Sequence, residues 1–195
     1  MRIAVSGLSG CGNTTVSAYA AKILRLRPVN YTMRSLAKDI GISFGEAMAL
    51  RLKDGKLDLL LDLRQSELAK AEGVILSSRL AIWLMPAADL RVWLSATPEV
   101  RARRIAKREN KTYRQALAET CKRDRQDVSQ YKRLYGIDAS DTSQADLVIN
   151  TEWLDAQEVA AIIAGAARPL KRRRAAQSEA YNKIAAAIMK KLKFR

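Results

Sequence analysis

Histidine is absent from all 195 residues. Without an imidazole there is no Ser-His-Asp triad, no imidazole general base and no histidine-ligated metal. Chemistry therefore falls to arginine, lysine, carboxylates, hydroxyls and backbone amides. Cysteine is almost as scarce. Cys11 and Cys121 are the two present, and their separation matches neither a zinc spacing nor a CxxC pair, which argues for a reducing compartment and against a disulfide framework. No apolar run reaches the roughly 18 to 20 residues needed to cross a bilayer. Met1-Arg2 leads straight into a strand-like run instead of a signal peptide, so a cytoplasmic protein is expected.

What is present is basic charge. The chain carries 35 Lys and Arg against 20 Asp and Glu, a net +15. A field of that size concentrates anions, either phosphate-bearing small molecules or nucleic acid. From Arg168 to Arg195 there are ten Lys or Arg and a single acidic residue, Glu179, so +9 of the +15 sits in the tail.

Hydrophobic residues make up 48% of the chain, a fraction that fits one ordinary α/β core. Arg2-Ile3-Ala4-Val5-Ser6 is a short β-branched run ending in a glycine-rich turn, and the segment from Thr14 suits a helix. Val74 to Leu76, Asp89 to Leu94 and Asp146 to Asn150 are further apolar runs of the kind buried in parallel sheets. Helical patterns lie between them: Met33 to Ile40, Ser43 to Leu52, Lys56 to Ala71, Pro98 to Glu109, Thr112 to Tyr135 and Asp155 to Ala166. Pro98 suits a first helical turn, with Thr97 available as its cap. Strands alternating with helices predict a doubly wound parallel sheet with helices on both faces. Pro169 breaks the last helix, and a final basic helix places Tyr181, Ile184, Ile188 and Leu192 on one face. The expected division is residues 1–166 as the domain and 167–195 as a basic extension.

Gly7-Leu8-Ser9-Gly10-Cys11-Gly12-Asn13-Thr14-Thr15 follows a strand and opens a helix, the setting of a phosphate-binding loop of the form G-x-x-x-x-G-K-[ST]. Glycines let the backbone form a nest of amides around phosphate oxygens, and the helix N-terminus favours negative charge. Thr14 stands where a hydroxyl would ligate Mg²⁺. Asn13 takes the place of the lysine that normally neutralises the transferring phosphate, and its amide carries no charge. Cys11 is open to two readings, a reactive thiol lowered in pKa by the helix N-terminus or a small residue in a tight loop. Without the lysine, cations must come from elsewhere. Arg34, Arg64, Arg79, Arg104, Arg108 and Arg123 are the candidates, and Arg79 follows a central strand, where open parallel sheets bind ligands.

These segments resemble the archaeal-type cytidylate kinases. The resemblance is carried by Met1 to Gly7, by Asp62-Leu63-Arg64-Gln65-Ser66-Glu67-Leu68-Ala69, by Ser78-Arg79-Leu80 with Trp83, and by Pro98 to Glu109, Tyr131 to Asp138 and Ala145 to Thr151. It covers roughly residues 1 to 166. It implies a P-loop NTPase fold with helical nucleotide-monophosphate-binding and lid parts, ATP and Mg²⁺ as cofactors, and transfer of the ATP γ-phosphate to CMP or dCMP. By position, Arg34, Arg64 and Arg79 resemble the arginines that hold the acceptor nucleotide. Arg79, Arg104, Arg108 and Arg123 look like those that act on the transferring phosphate, the last three from the lid region. The active centre looks degenerate: Asn30-Tyr31 replaces a Gly-Asp pair, and Ser77-Ser78 replaces Glu-Gly, whose carboxylate orders the water around Mg²⁺.

Two readings remain open at this stage. One is a nucleoside monophosphate kinase, with CMP favoured. The other is a catalytically reduced nucleotide-binding relative whose basic tail docks RNA or another acidic partner.

Overall fold

The computed structural model describes residues 1–170 and Ala186. Five strands form one parallel sheet: β1 (Arg2–Gly7), β2 (Arg27–Val29), β3 (Val74–Ser77), β4 (Leu90–Ser95) and β5 (Leu147–Asn150), in the order β2-β3-β1-β4-β5. Among the described residues eight helices connect and cover it: α1 (Asn13–Leu24), α2 (Met33–Asp39), α3 (Phe44–Asp54), α4 (Lys56–Ala69), α5 (Ala81–Leu84), α6 (Pro98–Glu109), α7 (Tyr113–Tyr135) and α8 (Ala156–Ala167). The doubly wound α/β architecture expected from the sequence is therefore present.

Each sheet face has its own apolar core. Ile3, Val5, Ile75, Val92 and Leu94 point towards α1 and α8, while Ala4, Leu76 and Trp93 point towards α4, α5 and α7. This alternation is the period-two output of strands buried on both sides. Two smaller cores stand apart. Met33, Leu36, Ala37 and Ala47 join α2 and α3, with Leu57 and Leu61 of α4 packed against them. Ala102, Ile105 and Ala116 join α6 and α7. These satellites hold the two helical projections that flank the sheet's carboxyl end.

The chain leaves β1 towards one edge of the sheet and β3 towards the other. Opposite departures from neighbouring strands open a crevice at their carboxyl ends. The glycine loop after β1 and Arg79 after β3 meet there.

Two elements went unread, and one expected cap is not made. β2 went unread because it has three residues, one of them Pro28, and a proline is tolerated only at a sheet edge, which is where β2 lies. Helix α5 is four buried residues anchored by tertiary contact, with the Ile82 amide donating to the buried Ser6 hydroxyl at 3.1 Å. Thr97 does precede α6, but its side chain makes no cap bond; the Glu152 carboxylate accepts its amide at 2.6 Å instead. Helix α8 ends at Ala167, beside the expected division at 166. Apart from Ala186, the final helix with its Tyr181, Ile184, Ile188 and Leu192 face, and its expected RNA or acidic partner, lies outside the described residues. Among those residues no helix is long and apolar enough to cross a membrane.

Candidate active site

The crevice is a cleft of about 520 Å³, within the range of small-molecule sites. The glycine loop forms one wall. Gly10 has φ +89°, and a Cβ there would lie 2.8 Å from the Cβ of Arg101, so both conformation and space require glycine. Gly12, at φ +97°, is the N-cap of α1 and offers no side-chain bond to the first turn, whose amides stay available to a ligand. Asn13 does not project as a free donor. Its Nδ2 donates to the Gly7 carbonyl at 2.6 Å, stitching the loop shut across its base, and its Oδ1 is buried without a hydrogen bond. Cys11 is buried outside the cleft lining, and burial raises its thiol pKa despite Arg101 and Arg104 nearby, so the small-residue reading holds.

Of the expected loop residues, Gly7, Leu8, Ser9, Gly10, Gly12, Asn13, Thr14 and Thr15 line the cleft. So do Arg34, Arg79, Arg104, Arg108 and Arg123, brought from four places in the chain. Arg34, in the first turn of α2, stacks 3.9 Å above the Phe44 ring, which fixes its guanidinium by cation–π attraction. Arg79 donates to Ser9 Oγ at 2.7 Å and pairs with Asp127 at 3.0 Å. Burial works against its charge, but Asp127 and Tyr131 together outweigh this and the pKa is raised. Arg104 donates to the Gly10 carbonyl at 3.3 Å and to the Thr151 hydroxyl and carbonyl. Arg108 pairs with its neighbour Glu109 at 2.7 Å. Burial and then the neighbouring Arg79 lower the pKa of Arg123, an environment that a bound polyanion would relieve.

Arg64 is placed differently. It is half-exposed, pairs with Glu67 at 3.2 Å and does not line the cleft. The face of α4 that turns inward is Asp58, Asp62 and Gln65, at spacings of four and three residues, which leaves Arg64 pointing outward. That buried polar stripe was missed in the sequence, as was its counterpart Asp127, Tyr131 and Tyr135 on α7, spaced four apart. The signal lay in those spacings. What makes them a site is that the stripes face one another: Tyr135 donates to Asp62, and Gln130 of α7 donates to Asp58 at 2.9 Å. Arg51 of α3 completes the group, donating to Asp58 at 2.6 Å and to Asp127 at 2.7 Å. A further missed residue is Arg101, only 2% exposed, which donates to the carbonyls of Ser9 and Ala96 and forks onto Asp124 at 2.6 and 3.2 Å. It props the phosphate loop from beneath.

Burial raises the pKa of Asp62 to about 7, further lifted by Asp58 and opposed by the Tyr135 hydrogen bond and by Arg51 and Arg79. Between its ordinary value of 3.8 and about 7, the folded chain holds a proton that the unfolded chain has released. Stability from this group is therefore full below pH 4 and declines as pH rises through about 7, by an amount on the order of 4 kcal/mol. The Asp62→Asn variant should escape this decline. In urea unfolding, it should gain on the parent steadily between pH 4.5 and 8, and parallel pH profiles would show that Asp62 titrates normally.

A glycine loop between β1 and α1, opening into an arginine-ringed cleft at the carboxyl end of a parallel sheet, defines a P-loop kinase. Solved structures agree at the level of fold. Shikimate kinase from Bacteroides thetaiotaomicron superposes with a TM-score of 0.58 at 17% identity, over 86% of this chain and 97% of that one. Deoxyadenosine kinase from M. mycoides with bound dATP gives 0.56 at 16% identity, over 86% and 100%. More particularly, the chain belongs to the cytidylate kinase-like family, whose model matches residues 2–153. Cytidylate kinase 2 of Borrelia garinii subsp. bavariensis is 42% identical, over 84% of this chain and 94% of its own length. The cytidylate kinases of Pyrococcus horikoshii, at 39% over 84% and 86%, and Methanocaldococcus jannaschii, at 36% over 88% and 100%, are similar too.

Proposed function

We propose that the protein transfers the γ-phosphoryl group of ATP to CMP and dCMP, giving ADP and the matching diphosphate. The observation that carries this is the single cleft joining the phosphate loop to Arg34, Arg79, Arg108 and Arg123. The cytosine base comes from the named relatives. Such a reaction suits a chain without histidine. The acceptor is itself a phosphate, largely ionised near neutral pH, so its oxygen attacks the γ-phosphorus without a general base while the bond to the β-phosphate oxygen breaks. What the protein must supply is position and positive charge.

The loop amides and Thr14 fit a nucleotide triphosphate and its Mg²⁺. Thr14 lines the cleft, and its hydroxyl is the protein oxygen that would ligate a hard cation held otherwise by phosphates and water. When bound, Mg²⁺ neutralises charge on the phosphate oxygens. Arg79, bonded to Ser9 of the loop, and Arg123, close to Arg79 in the cleft, would supply the charge of the missing lysine, and Arg34 would hold the acceptor. Ser77 lines the cleft as a neutral group.

ADP release measured with ATP, Mg²⁺ and each of CMP, dCMP, UMP and AMP tests this reading. Turnover should appear with CMP and dCMP. Because arginines already surround the loop, Asn13→Lys should change kcat by less than about tenfold, which corresponds to about 1.4 kcal/mol. Absence of turnover with all four acceptors would overturn the kinase reading. Turnover confined to the lysine variant would show that the loop has lost its catalytic charge.

A further inference from the structure

Asp127 is the one member of the polar network that reaches both ends of the cleft without lining it. It is 1% exposed, on α7. Its Oδ1 accepts from Nη2 of Arg51 at 2.7 Å, and its Oδ2 lies 3.0 Å from Nη1 of Arg79. Arg51 reaches onward through Nε to Asp58 at 2.6 Å, and Arg79 through Nη2 to Ser9 Oγ at 2.7 Å. The result is a run of hydrogen bonds, closed between Asp127 and Arg79 by an ion pair, from α4 through α3 and α7 to the turn after β3 and the phosphate loop. Asp58, Arg51, Arg79 and Ser9 all line the cleft, and Asp127 joins them from behind.

The burial of this run matters. Arg51, Asp58 and Asp127 are each at most 5% exposed, so solvent screens them little and each charge depends on its neighbours. Burial opposes charge on Arg51, and Asp58 and Asp127 raise its pKa well above the ordinary value, so it stays a cation. The small core that joins α2, α3 and α4 is separate from the sheet cores. The acceptor-side helices are thus tied to the phosphate loop by this charged run as well as by apolar packing. A shift of Arg51 towards an anion in the cleft must be felt by Asp127, and through it by Arg79.

We propose that Asp127 is a positioning residue that couples the two halves of the cleft, so that a nucleoside monophosphate on the Arg51 side and a triphosphate on the Ser9 side each tighten the other's binding. This rests on the kinase reading of the cleft. Linkage requires the effect to be equal in both directions.

The test is calorimetric titration of the full chain with CMP, with and without a non-hydrolysable ATP analogue, for the parent, Asp127→Asn and Ser9→Ala. In the parent, each ligand should tighten the other by about fivefold or more. In Asp127→Asn the factor, taken as the ratio of each ligand's affinity with and without the other in the same variant, should fall to within about twofold of one, whereas general loosening of the fold weakens both measurements alike and leaves the ratio in place. Ser9→Ala cuts the run at the loop and leaves the buried carboxylate paired. It decides the matter should Asp127→Asn fail to fold, and retention of the full factor would then overturn the proposal. A folded Asp127→Asn that keeps the parent's factor overturns it directly, as does a parent that binds both ligands independently. A parent that binds neither overturns the kinase reading and this inference with it.

Discussion

Arg101→Ala should cost about 3 to 5 kcal/mol of stability, the scale for removing one partner of a buried ion pair. Arg101 is almost completely buried, and the substitution strips the paired cation from Asp124. It also leaves the Ser9 and Ala96 carbonyls without their donor. For a domain of this size the melting temperature should fall by about 10 °C or more. Turnover should be lost beyond what unfolding explains, because the loop amides need their carbonyl side held. Arg101→Lys keeps the charge but not the two-pronged contact, and should fall between the parent and alanine. Thermal unfolding with steady-state rates below each variant's transition checks both parts. An alanine variant within a few degrees of the parent would show that the loop supports itself.

Arg79→Ala should lower kcat by about 10²- to 10³-fold, the range seen when one donor to developing charge is removed. The expectation is large because the loop carries Asn13 in place of a lysine, which leaves Arg79 as the cation bonded directly to a loop side chain, through Ser9. The fold should survive, since Asp127 keeps its 2.7 Å bond to Arg51. Arg79→Lys should recover part of the loss as a point charge without the fork that spans Ser9 and Asp127. Steady-state kinetics with CMP, read beside a melting curve, separates the loss of chemistry from loss of structure. A kcat within tenfold of the parent would move the catalytic charge to Arg123 and Arg108.

The parts legible in the chain and the parts that were not divide along a physical line. The strand, loop and helix around Gly7 to Thr15 were readable because strand period, glycine spacing and helix start are all properties of adjacent residues. The positions of Arg34 and Arg79 at element ends were readable for the same reason. Arg64 looked equivalent to them, yet it points away, because helix rotation on α4 is set by which face finds buried partners. Asp58, Asp62 and Gln65 find those partners on α7 and on the chain near Tyr31. β2 and α5 were invisible because each is too short to show a period and exists through contacts made far along the chain.

By itself, then, the sequence determined the parallel α/β sheet, the phosphate loop with its missing lysine, the exclusion of imidazole chemistry and the family resemblance. Each depends on residue identity and local spacing, which folding does not alter. Only the tertiary structure decided that Asn13 ties the loop to Gly7, that Arg101 supports the loop from below, and that Asp127 links Arg51 to Arg79. Those contacts join residues as far as 92 positions apart. Their energies come from burial and from charges brought face to face, neither of which exists until the chain has folded.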